Sequence, residues 1–242
     1  MYSVGLEKDF IFVHIPKTGG GAIKNHILKH VPRENLRYPK DIYHASIADY
    51  KEAIDNDPDC RPFKDYYAFT VVRNPWDKMV SLFEWKKNGT PDSVYKSVNQ
   101  KIQPSLIKGR KHVQKPSIEN SIPQDLTFLD FCLNLDKFTD HRDIADFFYW
   151  QFLGPNEEQD KLHILEFNQI SDDAGMVSFW NERIGIPAEP LMKIHKTEHS
   201  HYLDYYSNTE AEGIFLQGFV YGLFVHEINY LGWSLDGIRR TQ

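Results

Sequence analysis

The stretch that most constrains this chain is Phe10 to Leu28, FIFVHIPKTGGGAIKNHIL. Its opening residues, FIFVHI, are apolar and rich in β-branched and aromatic side chains, the composition of a buried strand. Next comes Pro16-Lys17-Thr18-Gly19-Gly20-Gly21, a run that suits neither strand nor helix. Ala22, Ile23, Ile27 and Leu28 then recur at helical spacing. Strand, glycine-rich loop and helix in this order make an anion site. The glycines let backbone N–H groups approach a ligand, and a helix N-terminus carries about half a positive charge. Lys17 adds a full charge and Thr18 a hydroxyl. Because Lys17 precedes the glycines, the loop is not a Walker A motif, where lysine follows the last one. Three glycines also make a tight turn that binds nothing.

A second stretch strengthens the first: Tyr66 to Trp85, YYAFTVVRNPWDKMVSLFEW. YYAFTVV reads as another strand. Asn74 suits a helix N-cap, Pro75 the first helical position and Asp77 the first turn, where the dipole favours a carboxylate. Met79, Val80, Leu82 and Phe83 mark the face to be buried. Arg73 then ends a strand, at the edge where open α/β sheets place their ligands. Ser81 lies two turns into the helix. Taken singly, Arg73 is also consistent with a surface ion pair and Ser81 with a filler hydroxyl.

Together the two stretches resemble the sulfotransferases that use 3′-phosphoadenosine 5′-phosphosulfate (PAPS), in the branch of bacterial enzymes and Golgi carbohydrate sulfotransferases. HIPKTGG is similar to that family's 5′-phosphosulfate loop, and VVRNPWDKMVSLF to its 3′-phosphate motif. The resemblance implies an α/β, P-loop-like three-layer fold with a central, mostly parallel sheet flanked by helices. It assigns Lys17, Thr18, Gly19, Gly20, Gly21 and Ala22 to the 5′-phosphosulfate, and Arg73 and Ser81 to the 3′-phosphate. Two departures stand out. Gly21 occupies a place usually held by Thr or Ser, and Lys78 one often held by Arg.

The resemblance also singles out His44. In DIYHASIADY a histidine precedes a small residue and Ser46, which suits an N-cap before Ile47, Tyr50 and Ile54. Read alone, His44 is a surface or capping histidine. By the family match it is the general base, and an ordinary pKa near 6.5 suits that role. Later likenesses are weaker. Glu166 ends a third strand, LHILEF, with Leu165 where the family has Arg. Gln151 and Trp150 lie in an aromatic-rich helical stretch. Lys196 is followed by Thr197 where Asn is usual.

Composition bounds the rest. A net charge of −6 argues against a general nucleic-acid or heparin binder. Only two cysteines, with no CxxC or Cys/His cluster, argue against a disulfide framework or a zinc site. The 11 histidines are scattered, His195, His199 and His201 coming nearest to a cluster, and no metal ligand set is expected. The start, MYSVGLEKDF, lacks a secretory signal, and no apolar run reaches the ~18–20 residues of a membrane span. The expectation is therefore a cytoplasmic enzyme of one domain over 1–242. Residues 86–124 are polar and proline-punctuated, locally basic around Lys108 to Lys115, and read either as a lid over donor or acceptor or as a solvated loop.

Helix signals complete the reading. Thr127 and Asp130 are spaced as a capping box, Ser171 caps a helix running to about Ile184, and Ser207 with Glu210 opens a long final helix. That helix is expected to bury Ile214, Phe215, Phe219, Leu223 and Ile228 and to stop near Gly232.

The expected reaction moves a sulfuryl group from PAPS to a hydroxyl of a carbohydrate or small molecule, with no metal and no nucleic-acid partner. Rival readings are a nucleotide kinase and a non-catalytic PAPS- or nucleotide-binding module. Oligomeric state is not readable.

Overall fold

A computed structural model describes residues 4–5, 8–37, 45–88, 122–139, 161–171, 173–191 and 200–237. His44, Gln151, Trp150, Lys196 and most of the 86–124 segment lie outside these residues.

The strand-like runs become β2 (Phe10–Val13), β4 (Tyr67–Val72) and β5 (Leu162–Glu166), which pair in parallel, β4 between the other two. Two short pieces, β1 (Val4–Gly5) and β3 (Leu36–Arg37), extend the sheet beyond β2 with antiparallel pairing. The order is β3-β1-β2-β4-β5.

The alternation of side chains along β2 and β4 divides the core in two. Phe10, Phe12, Phe69 and Val71 face α1 (Gly20–His30) and a helical stretch bearing Phe179, Trp180 and Ile184. Aromatic contacts fill this layer, with Phe12 stacked on Phe69 at 5.1 Å between ring centroids and Phe179 edge-on to Phe69 at 4.9 Å. Ile11, Val13, Ala68 and Val72 join the opposite cluster, with α2 (Ile47–Asp55), α3 (Pro75–Asn88), α4 (Phe128–Leu133) and the C-terminal helices. This is why the parallel strands are apolar on both faces. The expected α/β three-layer arrangement is what forms.

Several caps sit where the sequence placed them. Ser46 and Asp49 form a reciprocal capping box on α2. Thr127 accepts the Asp130 N–H at 3.1 Å at the start of α4, which is followed by the single turn α5 (Leu135–Phe138). The helix after Ser171 runs from α6 (Asp173–Met176) into a π-helical stretch, Val177–Ile184, ended by Gly185 at φ 75°. Its wider turn coincides with Trp180 being fully buried and donating to the Ile170 carbonyl at 2.9 Å.

The C-terminal helix departs from expectation. It is two helices, α7 (Glu210–Leu223) and α8 (Val225–Leu231), with Gly232 at φ 69° ending the second. Thr209, not Ser207, is the N-cap and accepts the Glu212 N–H at 3.2 Å, while the Ser207 hydroxyl donates to the Asp204 carbonyl. Two overlapping S/T-x-x-E patterns competed, and the later one caps. The buried face is Gly213, Leu216 and Val220, leaving Ile214 64% and Phe215 43% exposed. Apolar residues surround this helix, so spacing alone permits more than one phase. Gly213 settles it, because only a residue without Cβ can lie so close to the Tyr206 carbonyl.

That contact gives a paired prediction. A Cβ at Gly213 would lie 2.3 Å from the Tyr206 oxygen, whereas at Gly218 and Gly222 nothing comes within 4 Å. Gly218→Ala and Gly222→Ala should each raise stability by up to about 1 kcal/mol through helix propensity. Gly213→Ala should lower it despite the same propensity gain. Denaturant unfolding of the three variants checks this, and a stabilised Gly213→Ala would contradict the packing.

Candidate functional site

The parallel direction of β2, β4 and β5 brings three strand ends, at Val13, Val72 and Glu166, to one edge of the sheet. The loop 14–19, Arg73 and Phe167 follow them directly. Thr70 ties two of the strands there, its hydroxyl donating to the Val13 carbonyl at 2.8 Å.

The loop is shaped by its glycines and by one strained residue. Gly19 is left-handed at φ 88° and serves as the N-cap of α1. A Cβ there would lie 2.5 Å from the Phe167 ring, and one on Gly20 would run into the His14 ring at 1.8 Å. Gly21 has open space around it, so the hydroxyl residue expected there would fit. Helix geometry leaves the N–H groups of Gly20 and Gly21 without intrahelical acceptors, whereas that of Ala22 donates to the Gly19 carbonyl at 3.0 Å. The Ala22 side chain belongs to the core. The Thr18 side chain is buried and its hydroxyl donates to the Ile15 carbonyl at 2.8 Å. It therefore builds the turn, and reaching an anion would require it to rotate away.

Lys17 also has a positive φ, 64°, a conformation that costs a non-glycine residue about 1–2 kcal/mol. Its ammonium lies 5.0 Å from the centre of the Trp85 ring on α3. Burial, and then the charge of Arg73, lower its pKa from 10.5 to about 7. An isolated ammonium is disfavoured in so dry a place, and a nearby anion reverses that penalty.

Arg73 links the two motifs. Asp77, one turn on, holds its guanidinium with two hydrogen bonds, Nε to Oδ2 at 2.5 Å and Nη2 to Oδ1 at 2.8 Å. Nη1 reaches across to the Lys17 carbonyl at 3.3 Å. The ion pair weighed from sequence thus exists, and it aims the arginine at the loop. Asn74 caps α3 as expected, accepting from Trp76 N–H at 2.9 Å. Its amide group donates to the Ser234 carbonyl at 2.9 Å, and Tyr206 donates to the Trp76 carbonyl at 3.0 Å. The start of α3 is therefore held from outside the helix.

Met79, Val80, Leu82 and Phe83 are all buried, as their spacing required. Lys78, fully buried with its ammonium 5.9 Å from the Phe224 ring, packs into the core away from the Asp77 stripe. Asp77, Ser81 and Trp85 recur every fourth residue and so lie along one face of α3. Arg73, held by Asp77, touches the Lys17 carbonyl, and the Lys17 ammonium covers Trp85, so Lys17 meets both ends of the stripe on which Ser81 lies. The structure thus brings Lys17, Arg73 and the start of α1 together, with Ser81 buried on the α3 face that also bears Asp77 and Trp85. Sequence reasoning missed two residues: Trp85, which was given no role, and Asp77, which looked only like a dipole partner.

An open groove of about 340 Å³ elsewhere is lined by Tyr67, Gln169, Ser178, Phe179, Glu182 and Arg183 among others, none from the loop 14–21 or α3. Across the described residues no helix is long and apolar enough to cross a membrane.

The model of the Sulfotransferase family matches residues 2–211, most of the chain, including the glycine loop, Arg73 and α3. No curated protein and no solved structure matches significantly. With the family's model spanning both the glycine loop and the Arg73 helix, the chain belongs to the sulfotransferase family.

Proposed function

We propose that this sulfotransferase takes its sulfuryl group from PAPS and delivers it to a hydroxyl of a carbohydrate or small molecule. The observation that carries this reading is the meeting of Lys17 and Arg73 beside the α1 N-terminus, cationic groups from two different strand ends. A donor with phosphates at both 3′ and 5′ positions matches that pair. The loop amides and Lys17 take the 5′-phosphosulfate, and Arg73 with Ser81 takes the 3′-phosphate.

In this reading the acceptor oxygen attacks sulfur in line as the bond from sulfur to the 5′-phosphate oxygen breaks, much as in phosphoryl transfer. His44, which precedes α2, takes the acceptor's proton. Charge gathers on the departing 5′-phosphate oxygen, where Lys17 stabilises it. Preorganised charge of this kind is commonly the largest catalytic contribution.

The first test is transfer of labelled sulfate from PAPS to a panel of sugars, phenols and alcohols. Lys17→Ala should lower turnover about 100- to 1,000-fold and, by removing a desolvated ammonium from a strained position, leave the fold intact. Arg73→Ala should raise the donor KM, and His44→Ala should lower kcat. Wild-type turnover in Lys17→Ala would remove that residue from the chemistry.

The lowered pKa of Lys17 adds a pH prediction. Below about pH 7 the ammonium is charged with or without ligand, so this group adds no pH dependence. Above that, binding 3′-phosphoadenosine 5′-phosphate (PAP) requires a proton to be taken up, since the bound anion raises the pKa. Affinity should then fall by up to about tenfold per pH unit above 7. Calorimetry in buffers of different ionisation heat reads the proton directly. Lys17→Ala should show none of this uptake.

A further inference from the structure

The histidines give little sign of a metal site in the sequence, but the fold gathers three ligand groups far from the glycine loop. His26 and His30 stand four residues apart on α1, a spacing that puts both imidazoles on one side of a helix. Glu189, over 150 residues later, comes up beside them, and the three ligand atoms lie within 4.8 Å of one another.

We infer that His26, His30 and Glu189 form a binding site for one divalent transition metal ion such as Zn²⁺. Four observations support it. His26 is 6% exposed, and both its Nε2 and that of His30 are buried without a hydrogen-bond partner. Two buried ring nitrogens without partners need a hydrogen-bond donor or an ion, and a metal satisfies both at once.

His26 also hydrogen-bonds the Pro187 backbone. Proline has no N–H, so its carbonyl accepts, and with Nε2 unpartnered the donor is Nδ1. That bond fixes the tautomer with the Nε2 lone pair directed at the cluster, the arrangement in which ligating histidines are usually held.

The Glu189 side is held as well. Ile186 and Leu191 are buried in the α1 cluster, and Asn181 accepts the Ala188 N–H at 2.8 Å. His30 Nε2 already lies 3.6 Å from a Glu189 oxygen, close to the ~3.4 Å between ligand atoms of a tetrahedral zinc site.

Finally, the chemistry of the set is selective. Two imidazoles and a carboxylate suit zinc, cobalt or nickel rather than the all-oxygen shells of calcium or magnesium. Lys29 pairs with the other Glu189 oxygen, but its side chain is 61% exposed and can swing into water when a dication takes its place. Glu189 is itself 38% exposed, which leaves an entry path and a fourth position for water.

His26 and His30 lie six and ten residues beyond Gly20, about 9–15 Å along the helix axis. The ion therefore does not touch the donor loop. It clips the C-terminal half of α1 to the 186–191 segment, independently of the PAPS reading.

The test is zinc titration of the chelator-treated full chain, followed by calorimetry and thermal unfolding, with Co²⁺ as a spectroscopic probe. The expected result is one tight equivalent and a Tm rise of about 5–10 °C at 100 times the Kd. His30→Gln and Glu189→Gln lie near the surface, fold normally, and should each weaken binding at least tenfold. Co²⁺ should show tetrahedral-range absorption that the double variant lacks. No uptake by the parent chain, or uptake undiminished in the double variant, would overturn the site.

Discussion

The site depends on one guanidinium. Arg73, between β4 and α3, is gripped by Asp77 in the first turn of α3 and reaches the carbonyl of Lys17 in a different loop. That bridge ties the two motifs directly to each other at the sheet edge. The guanidinium is thus fixed against the Lys17 backbone before any ligand arrives. Preorganisation of this sort has a cost. The charge of Arg73 adds to the desolvation of Lys17, and Lys17 also sits in a left-handed backbone. Local strain and a depressed lysine pKa at the same residue are the marks of a functional position rather than a stabilising one.

The rest of the fold supports this arrangement from outside. The central strands are buried on both faces, so their ends cannot shift relative to each other without disturbing two cores. The C-terminal third clamps α3. Trp76 donates to the Gln217 carbonyl, Asn74 to the Ser234 carbonyl, and Tyr205 to Glu84 at 2.6 Å. Residues over 120 positions away in sequence thus hold the helix that carries Asp77, Ser81 and Trp85. At the far end of α3, the Ile122 N–H and the Gln124 amide donate to the Lys86 and Lys87 carbonyls. The chain therefore returns to its point of departure after the intervening segment.

What could be read from the sequence was local. The strand–glycine–helix pattern, the Asn74, Ser46 and Thr127 caps and the buried face of α3 each rest on residues within a turn or two of one another. The missed features needed partners from elsewhere. Thr18 looked like a ligand hydroxyl because nothing in the sequence shows that the Ile15 carbonyl takes it. Trp85 had no role in the sequence reading because the lysine above it comes from another loop. The phase of α7 was set by a backbone oxygen at Tyr206, which hydrophobic spacing cannot register. Glu189 could not have been joined to His26 and His30 without the fold.

Thermal unfolding of the chain with PAP, with AMP and ATP as controls, tests the pairing of Lys17 and Arg73. A ligand at about 100 times its Kd contributes about 2.7 kcal/mol, a shift on the order of 5–10 °C for a domain of this size. The account predicts a shift with the 3′-phosphorylated nucleotide, none comparable with AMP or ATP, and its loss in Arg73→Ala. An equal shift with ATP, or a PAP shift that survives Arg73→Ala, would contradict the pairing of Lys17 and Arg73 as a two-phosphate site.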